Sequence, residues 1–348
     1  MPSRQTNRYV LFSIISMSVI LLMAEGTLRL GGISPRVDNP FFMLVRVFEY
    51  PDYFQRDHSL FWRLRPNIKE GTEFLVPGSY RTNSLGLRGD EVSLSADNSR
   101  TRIACFGNSC TFGWRLQEEE TYEQQLERKL NAQVGAARFK VFNCGVPGYS
   151  TFQGFRMLRE FLPILKPQIV TICYGWNDHW AAGFDIEDKD QRTAPQWVLN
   201  AQNLLSESYL YRSIKCLLLA KYEKTKQYHF DRQSVRYRVS LDDFAVNLSD
   251  IIAFCRSNGV EPILLTTPVG DADPGVINAM ESYHERYNQT VRRIADELTV
   301  PLVDAATLFL DHPQYYDNPK ADFIHYNAKG AERIATALAE TIESWRRD

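Results

Sequence analysis

Three residue types in this chain stand where nucleophilic catalysis would need them. Ser109 lies in GNSCTFG (107–113), between Gly107 and Gly113 and directly after the apolar run RIACF. A serine hydroxyl reaches substrate only from such an exposed turn. This one is not the GxSxG elbow, and alone it equally suits a phosphate-binding loop or a plain strand-to-helix turn. Asp322 precedes His325 by three residues in DFIHYNAKG (322–330). Within a loop or helical turn that spacing lets the carboxylate meet the imidazole, fix its tautomer and stabilise the imidazolium. In NCGVPGYS (143–150), Gly145, Pro147 and Gly148 make a tight loop able to expose backbone N–H groups, though alone it reads as a turn. In GWND (175–178), Asn177 offers an amide donor. Donors aimed at a developing oxyanion contribute roughly 3 kcal/mol each; helix capping or an Asx turn would account for Asn177 and Asp178 as well. The other histidines are His58, His179, His229, His284 and His312. His179 is the rival base because it follows GWND, whereas His312, beside Asp311, reads as solvent-facing.

These residues gain meaning from the elements around them. RIACF (102–106), FKVFN (139–143), IVTICY (169–174), PILLT (262–266) and PLVD (301–304) read as buried strands. Between them lie helical patterns. Thr121 is placed as an N-cap with Gln124 completing a capping box, followed by Tyr122, Leu126 and Leu130 on one face. Met157 to Leu165, Leu241 to Cys255, about Val276 to Leu298, and Ala328 onward to Ile342 supply the others. Strand alternating with helix predicts an α/β fold, a five-stranded parallel sheet covered on both faces. Right-handed crossovers bring the strand C-terminal ends to one edge, where ligands bind. All four motifs follow strands at that edge.

Together the motifs resemble the SGNH hydrolase superfamily, the GDSL esterases and lipases, over about residues 100–345. The resemblance implies a three-layer α/β/α sandwich of flavodoxin-like type and acyl transfer without a metal or organic cofactor. It implies Ser109 as nucleophile and, through its N–H, an oxyanion donor. Gly148 is the second donor, with Gly145 as the alternative if the loop register slips, and Asn177 is the third. It implies His325 as base, oriented by Asp322. Asn108 departs from the pattern, since the family usually carries Asp there. Anchored relatives include carbohydrate esterases and polysaccharide O-acetyltransferases, so the acceptor stays open between water and a sugar hydroxyl. A catalytically silent binding module is the remaining alternative, supported by Asn108 alone. Tyr174, Trp176, Trp180 and Phe184 could stack on sugar rings or pack between insertion and core.

The rest of the chain bounds these readings. Of 348 residues, 44% are hydrophobic and 24% charged, enough for a sizeable core. Lys plus Arg number 40 against 42 Asp plus Glu, which leaves no basic excess to suggest nucleic acid. Arg4 and Arg8 precede an apolar run, Tyr9 to Ala24. With Gly26 to Leu28 added it is long enough to span a bilayer, its basic flank cytoplasmic and the remaining chain outside, periplasmic or extracellular. An uncleaved anchor is expected; cleavage near Ala24-Glu25-Gly26 is the alternative. The expected division is an anchor over 1–30, a juxtamembrane region over 31–98 that packs on the main domain, and a catalytic domain over 99–348. The last is interrupted by an insertion at about 180–240. The six cysteines show no CxxC or Cys/His ligand spacing, so zinc is not expected. The partners implied are an acyl-ester substrate, carbohydrate or lipid, and the membrane.

Overall fold

Five apolar runs become five parallel strands, and their right-hand neighbours in sequence become the helices that cover them. The computed structural model describes residues 4–33, 52–69, 80–92, 100–182, 185–224, 236–270 and 274–347. In chain order the principal elements are α1 (Arg4–Leu30), β1 (Phe54–Asp57), β2 (Phe61–Leu64), β3 (Thr101–Gly107), α2 (Ser109–Phe112), α3 (Tyr122–Val134), β4 (Phe139–Gly145) and α4 (Thr151–Leu165). There follow β5 (Ile169–Cys173), α5 (Gln196–Leu205), α6 (Tyr209–Lys224), α7 (Leu241–Ser257), β6 (Glu261–Leu265), α8 (Pro274–Glu297), β7 (Leu302–Val303) and α9 (Ala328–Arg347). The chain divides into two compact units: Met1–Trp62 with Thr193–Asp231, and Arg63–Arg192 with Arg232–Asp348.

The larger unit is a three-layer sandwich with strand order β4-β3-β5-β6-β7, every described pairing parallel. Its strands are apolar on both faces, as a parallel sheet buried on two sides requires. Ile103, Cys105, Val141, Ile169 and Ile263 meet Leu126 and Leu130 of α3 and Ile334, Leu338 and Ile342 of α9. On the opposite face α4, α7 and α8 pack side by side. They bury Leu158 and Leu165 of α4, Ile251 and Cys255 of α7, and Val291 and Ile294 of α8. Gly107 at the end of β3 pairs with Gly145 on one side and Cys173 on the other, so three strands finish level. That level edge is where the loops carrying the four motifs begin.

One local expectation changes. Thr121 does cap α3, its hydroxyl accepting from the Gln124 N–H. The return half of the box is missing because the Thr121 N–H is spent on the Glu118 carbonyl. Complete capping boxes form instead at Gln117–Glu120 and Ser150–Gln153. The 180–240 stretch, expected as an insertion, contains the helices α5 and α6, and residues 193–231 cluster with 1–62.

In the smaller unit α1 carries a 24-residue apolar stretch, Asn7–Leu30, with mean hydropathy 1.9 and no residue of its most apolar window buried. It is the one helix among the described residues long and apolar enough to cross a membrane, and a signal sequence near an N-terminus has the same character. Among the described residues no disulfide joins the six cysteines; Cys105, Cys110, Cys144, Cys173 and Cys255 are buried and pack as small apolar side chains.

Candidate active site

The turn after β3 is built so that one hydroxyl alone looks outward. Asn108, fully buried, caps α2 by accepting the Cys110 N–H at 2.9 Å, and Gly113 ends the helix in the left-handed region. Within α2 the side chains of Cys110, Thr111 and Phe112 are buried, whereas Ser109 is partly exposed. The four-residue helix lies directly on the ends of β3 and β4. A Cβ at Gly107 would sit 2.0 Å from Thr111 Oγ1, and one at Gly145 would sit 2.1 Å from the Phe112 nitrogen. Neither position admits a side chain. Arg88, buried and distant in sequence, donates Nη1 to the carbonyls of Phe112 and Gly113, each at 2.7 Å, and Nη2 to that of Leu116 at 2.7 Å. It thereby satisfies carbonyls that the end of so short a helix leaves open. Reading the sequence missed Arg88; an isolated arginine in a turn-rich segment carries no periodic signal.

The loop between β7 and α9 brings the histidine to this serine. His325 Nε2 lies 2.8 Å from Ser109 Oγ, and His325 Nδ1 lies 2.9 and 3.0 Å from the two Asp322 oxygens. With Nδ1–H donated to the carboxylate, Nε2 is left as the acceptor of the serine proton. Asp322 also accepts the backbone N–H groups of Ile324 (3.3 Å) and His325 (3.1 Å), so the three-residue spacing closes as a small turn. Burial works against the Asp322 charge, but the His325 hydrogen bonds and nearby Arg115 outweigh it and hold the carboxyl below its usual range. Tyr326 Oη donates to the Cys110 carbonyl at 2.9 Å, tying this loop to α2. Trp114 stacks on the His325 ring, centroids 5.5 Å apart, and Arg115 Nη1 lies 3.5 Å from Asp322. Both follow the GNSCTFG motif immediately, a position the sequence reading left without a role.

The two remaining loops flank this group. Gly145 donates its N–H to Asn143 Oδ1 at 2.9 Å, which leaves it no donor to offer a ligand. Gly148, at φ +85°, holds its loop in a conformation that other residues rarely adopt. The N–H groups of Gly148 and Ser109 meet no acceptor among the described residues. Asn177 uses Nδ2 on the Tyr149 carbonyl at 3.1 Å, and an amide nitrogen has a second hydrogen to give. Asp178 takes the capping role: it accepts the Thr151 N–H at 2.8 Å and hydroxyl, and the Gly175 N–H at 3.0 Å. Its burial pushes the carboxyl up to about 6.

Behind Gly148 lies an ion pair that sequence reading did not find. Arg238 and Asp188 are both buried and meet at 2.8 Å. Arg238 Nη1 also donates to the Gly148 carbonyl at 2.7 Å and Nη2 to Gln153 Oε1 at 2.7 Å, while Ser150 Oγ donates to Asp188 at 2.6 Å.

The rival residues lie elsewhere. His179 is buried and contacts His284 ring to ring at 2.9 Å, and His284 reaches the Thr267 carbonyl at 2.8 Å. Burial lowers both imidazoles, to about 4 and about 3, so the pair is neutral. Trp176 is buried and stacks on His284 at 3.7 Å, and Tyr174 is buried against Gly154; neither is open to a sugar. Phe184 lies outside the described residues. His312 is exposed beside Gln314. Among the described residues no group of three or more His, Cys, Asp or Glu is placed to hold a metal.

A parallel α/β/α sheet thus carries serine, histidine and aspartate in contact at its ligand-binding edge. The model of the GDSL-like lipase/acylhydrolase family matches residues 105–333, and the chain belongs to that family. It is accordingly an enzyme acting on ester bonds. Similar solved structures include the lipase/acylhydrolase from Enterococcus faecalis, 20% identical, with 70% of this chain and 96% of that one covered and a TM-score of 0.47. The aryl esterase of M. smegmatis is 17% identical over 70% of this chain and 99% of its own, at 0.45. The psychrotrophic esterase EstA from Pseudoalteromonas sp. is 14% identical over 71% and 100%, at 0.46. No curated protein matches the chain.

Proposed function

We propose that Ser109, His325 and Asp322 act as a catalytic triad. The observation that carries this is the 2.8 Å approach of Ser109 Oγ to His325 Nε2 with Asp322 behind the ring. His325 takes the serine proton as Oγ attacks the ester carbonyl. The oxyanion is received by the N–H groups of Ser109 and Gly148 and by the Asn177 amide. His325 then protonates the departing alcohol, and water, activated by the same imidazole, releases the acid and restores Ser109.

The substrate class is an acylated carbohydrate or lipid outside the cytoplasm. Support comes from α1, an exposed apolar helix behind Arg4 and Arg8, read as an anchor over 1–30 that leaves 31–348 on the far side. Within that chain 99–348 is the catalytic domain. Residues 80–92 contribute to it through Arg88, a contact that supports reading 31–98 as a region packing on the catalytic domain.

The test uses the full chain in detergent, offered p-nitrophenyl acetate and longer acyl esters, and separately a fluorophosphonate probe. Turnover and labelling that vanish in Ser109→Ala, with the variant still folded, support the triad. Equal rates in wild type and Ser109→Ala sink it. Protease digestion of intact cells or spheroplasts checks the side of the membrane: protection of the catalytic domain would overturn the topology.

A further inference from the structure

The helices α5 and α6 turn apolar residues outward at helical spacing. Trp197 is 74% exposed and Leu204, seven residues on, 69%; Leu205 beside it is exposed as well. On α6, Leu217 is 73% exposed, with Ile214 and Leu218 exposed at the i, i+3, i+4 positions that normally face a core. The other side of α6 is occupied: Arg212 is buried and pairs with Asp52 at 2.9 Å. Six large apolar side chains on two consecutive helices therefore look away from the protein.

What covers them follows from where the hairpin is fastened. Glu25 of α1 accepts the Ser208 hydroxyl at 2.8 Å and the backbone N–H groups of Tyr209 and Leu210 at 3.0 and 2.8 Å. A carboxylate from α1 thus caps α6. Arg29 braces the joint, bonding Glu25 at 2.7 Å and the Glu207 carbonyl at 2.9 Å, and its guanidinium lies 4.9 Å from the centre of the Tyr209 ring. Glu25 is the first residue after the apolar run Tyr9 to Ala24, about 1.5 Å further along the helix axis. With Gly26 to Leu28 completing the span, Glu25 lies within its last turn, about 4.5 Å from its end along the axis, so the hairpin begins close to the level where the span meets the interface. Trp197, Tyr209 and Tyr211 are the residue types that settle at a membrane–water interface.

We propose that the α5–α6 hairpin is a second membrane contact, lying in the interfacial layer with Trp197, Leu204, Leu205, Ile214, Leu217 and Leu218 immersed. The proposal rests on the reading of α1 as an anchor. It gives the chain a two-point attachment, a spanning helix and an in-plane hairpin joined rigidly at Glu25. An interfacial helix sinks its apolar face about 5–10 Å into the headgroup–acyl boundary.

The full chain is reconstituted into liposomes and into nanodiscs holding one copy each, with ordinary or acyl-brominated phosphatidylcholine. Emission of wild type minus Trp197→Phe isolates Trp197. Bromine should dim that component at least about twofold in both preparations, as immersion at interfacial depth requires. If the protein floats with the vesicles and resists alkaline extraction while Trp197 stays equally bright, the hairpin contact is overturned and the anchor stands. If it does not float, the anchor reading fails and the hairpin contact with it. Quenching in single-copy discs that is lost in crowded liposomes assigns the face to a second copy of this chain and overturns the proposal.

Discussion

Replacing Arg238 by Met should damage both stability and turnover, by amounts that separate two roles. The side chain makes bonds of 2.7 Å to the Gly148 carbonyl, 2.7 Å to Gln153 and 2.8 and 3.1 Å to Asp188. Methionine fills the aliphatic space but leaves the Asp188 carboxylate buried with Ser150 Oγ as its remaining side-chain partner. Removing one member of a buried ion pair costs about 3–5 kcal/mol. Adding Asp188→Asn removes the stranded charge, so the double variant should regain most of that loss. The catalytic effect has a different origin. With its carbonyl released, the loop at Gly148 is free to rotate its N–H away from the oxyanion, and loss of one such donor costs roughly 100-fold in kcat with KM little changed. Arg238→Lys keeps the charge but not the fork, and should hold the stability better than the rate. The measurements are denaturant unfolding and p-nitrophenyl acetate kinetics on the four proteins. Full kcat in folded Arg238→Met would refute the link between this pair and Gly148. A stability loss below about 1 kcal/mol would refute the claim that the pair is shielded from water.

Other outcomes follow from the same geometry. Asn177→Ala should lower kcat by roughly 100-fold, and an effect confined to KM would remove Asn177 from the oxyanion hole. Asp322→Asn should lower kcat by about 10⁴-fold by presenting the wrong His325 tautomer, and a mild loss would mean that another group orients the ring. Glu123 is fully enclosed, and burial, only partly opposed by Arg88, pushes its carboxyl from 4.5 up to about 8. Below the unfolded value both states hold the proton; between about 4.5 and 8 only the folded state does, so stability falls by about 1.4 kcal/mol per pH unit. Unfolding of wild type and Glu123→Gln at pH 5 and pH 8 should show the gap between them widening by about 4 kcal/mol in favour of the variant; parallel curves would place a charged carboxylate in the folded protein.

How much of this could be read without coordinates depends on whether a residue's role is written in its neighbours. The sheet was legible because strands buried on both faces are continuous apolar runs, and RIACF or IVTICY cannot be anything solvated. Their ends were less so: β3 runs on to Gly107 because that glycine pairs with Gly145 and Cys173, a fact about two other strands. Ser109, Asn177, Asp322 and His325 stood out because each follows a strand end, and a parallel sheet gathers such ends at one edge. Helix α2 was invisible: four residues show no period, and it exists because Asn108 caps it, Gly107 and Gly145 make room for it and Arg88 closes its far end. The exposed stripe of α6 has the spacing of a core helix, so periodicity alone could not say that it faces away from the protein. Asp188 is the hardest case. It sits in DIEDKDQ, which reads as a solvated charge run, and its neighbours Lys189 and Asp190 are indeed exposed. Its partner lies 50 residues away, across the stretch expected as an insertion. A buried charge survives only with compensation close at hand, and when the fold alone brings that compensation near, no window of sequence contains both halves of the reason. The residues most legible here are those that would touch substrate, and the least legible are those that hold them still.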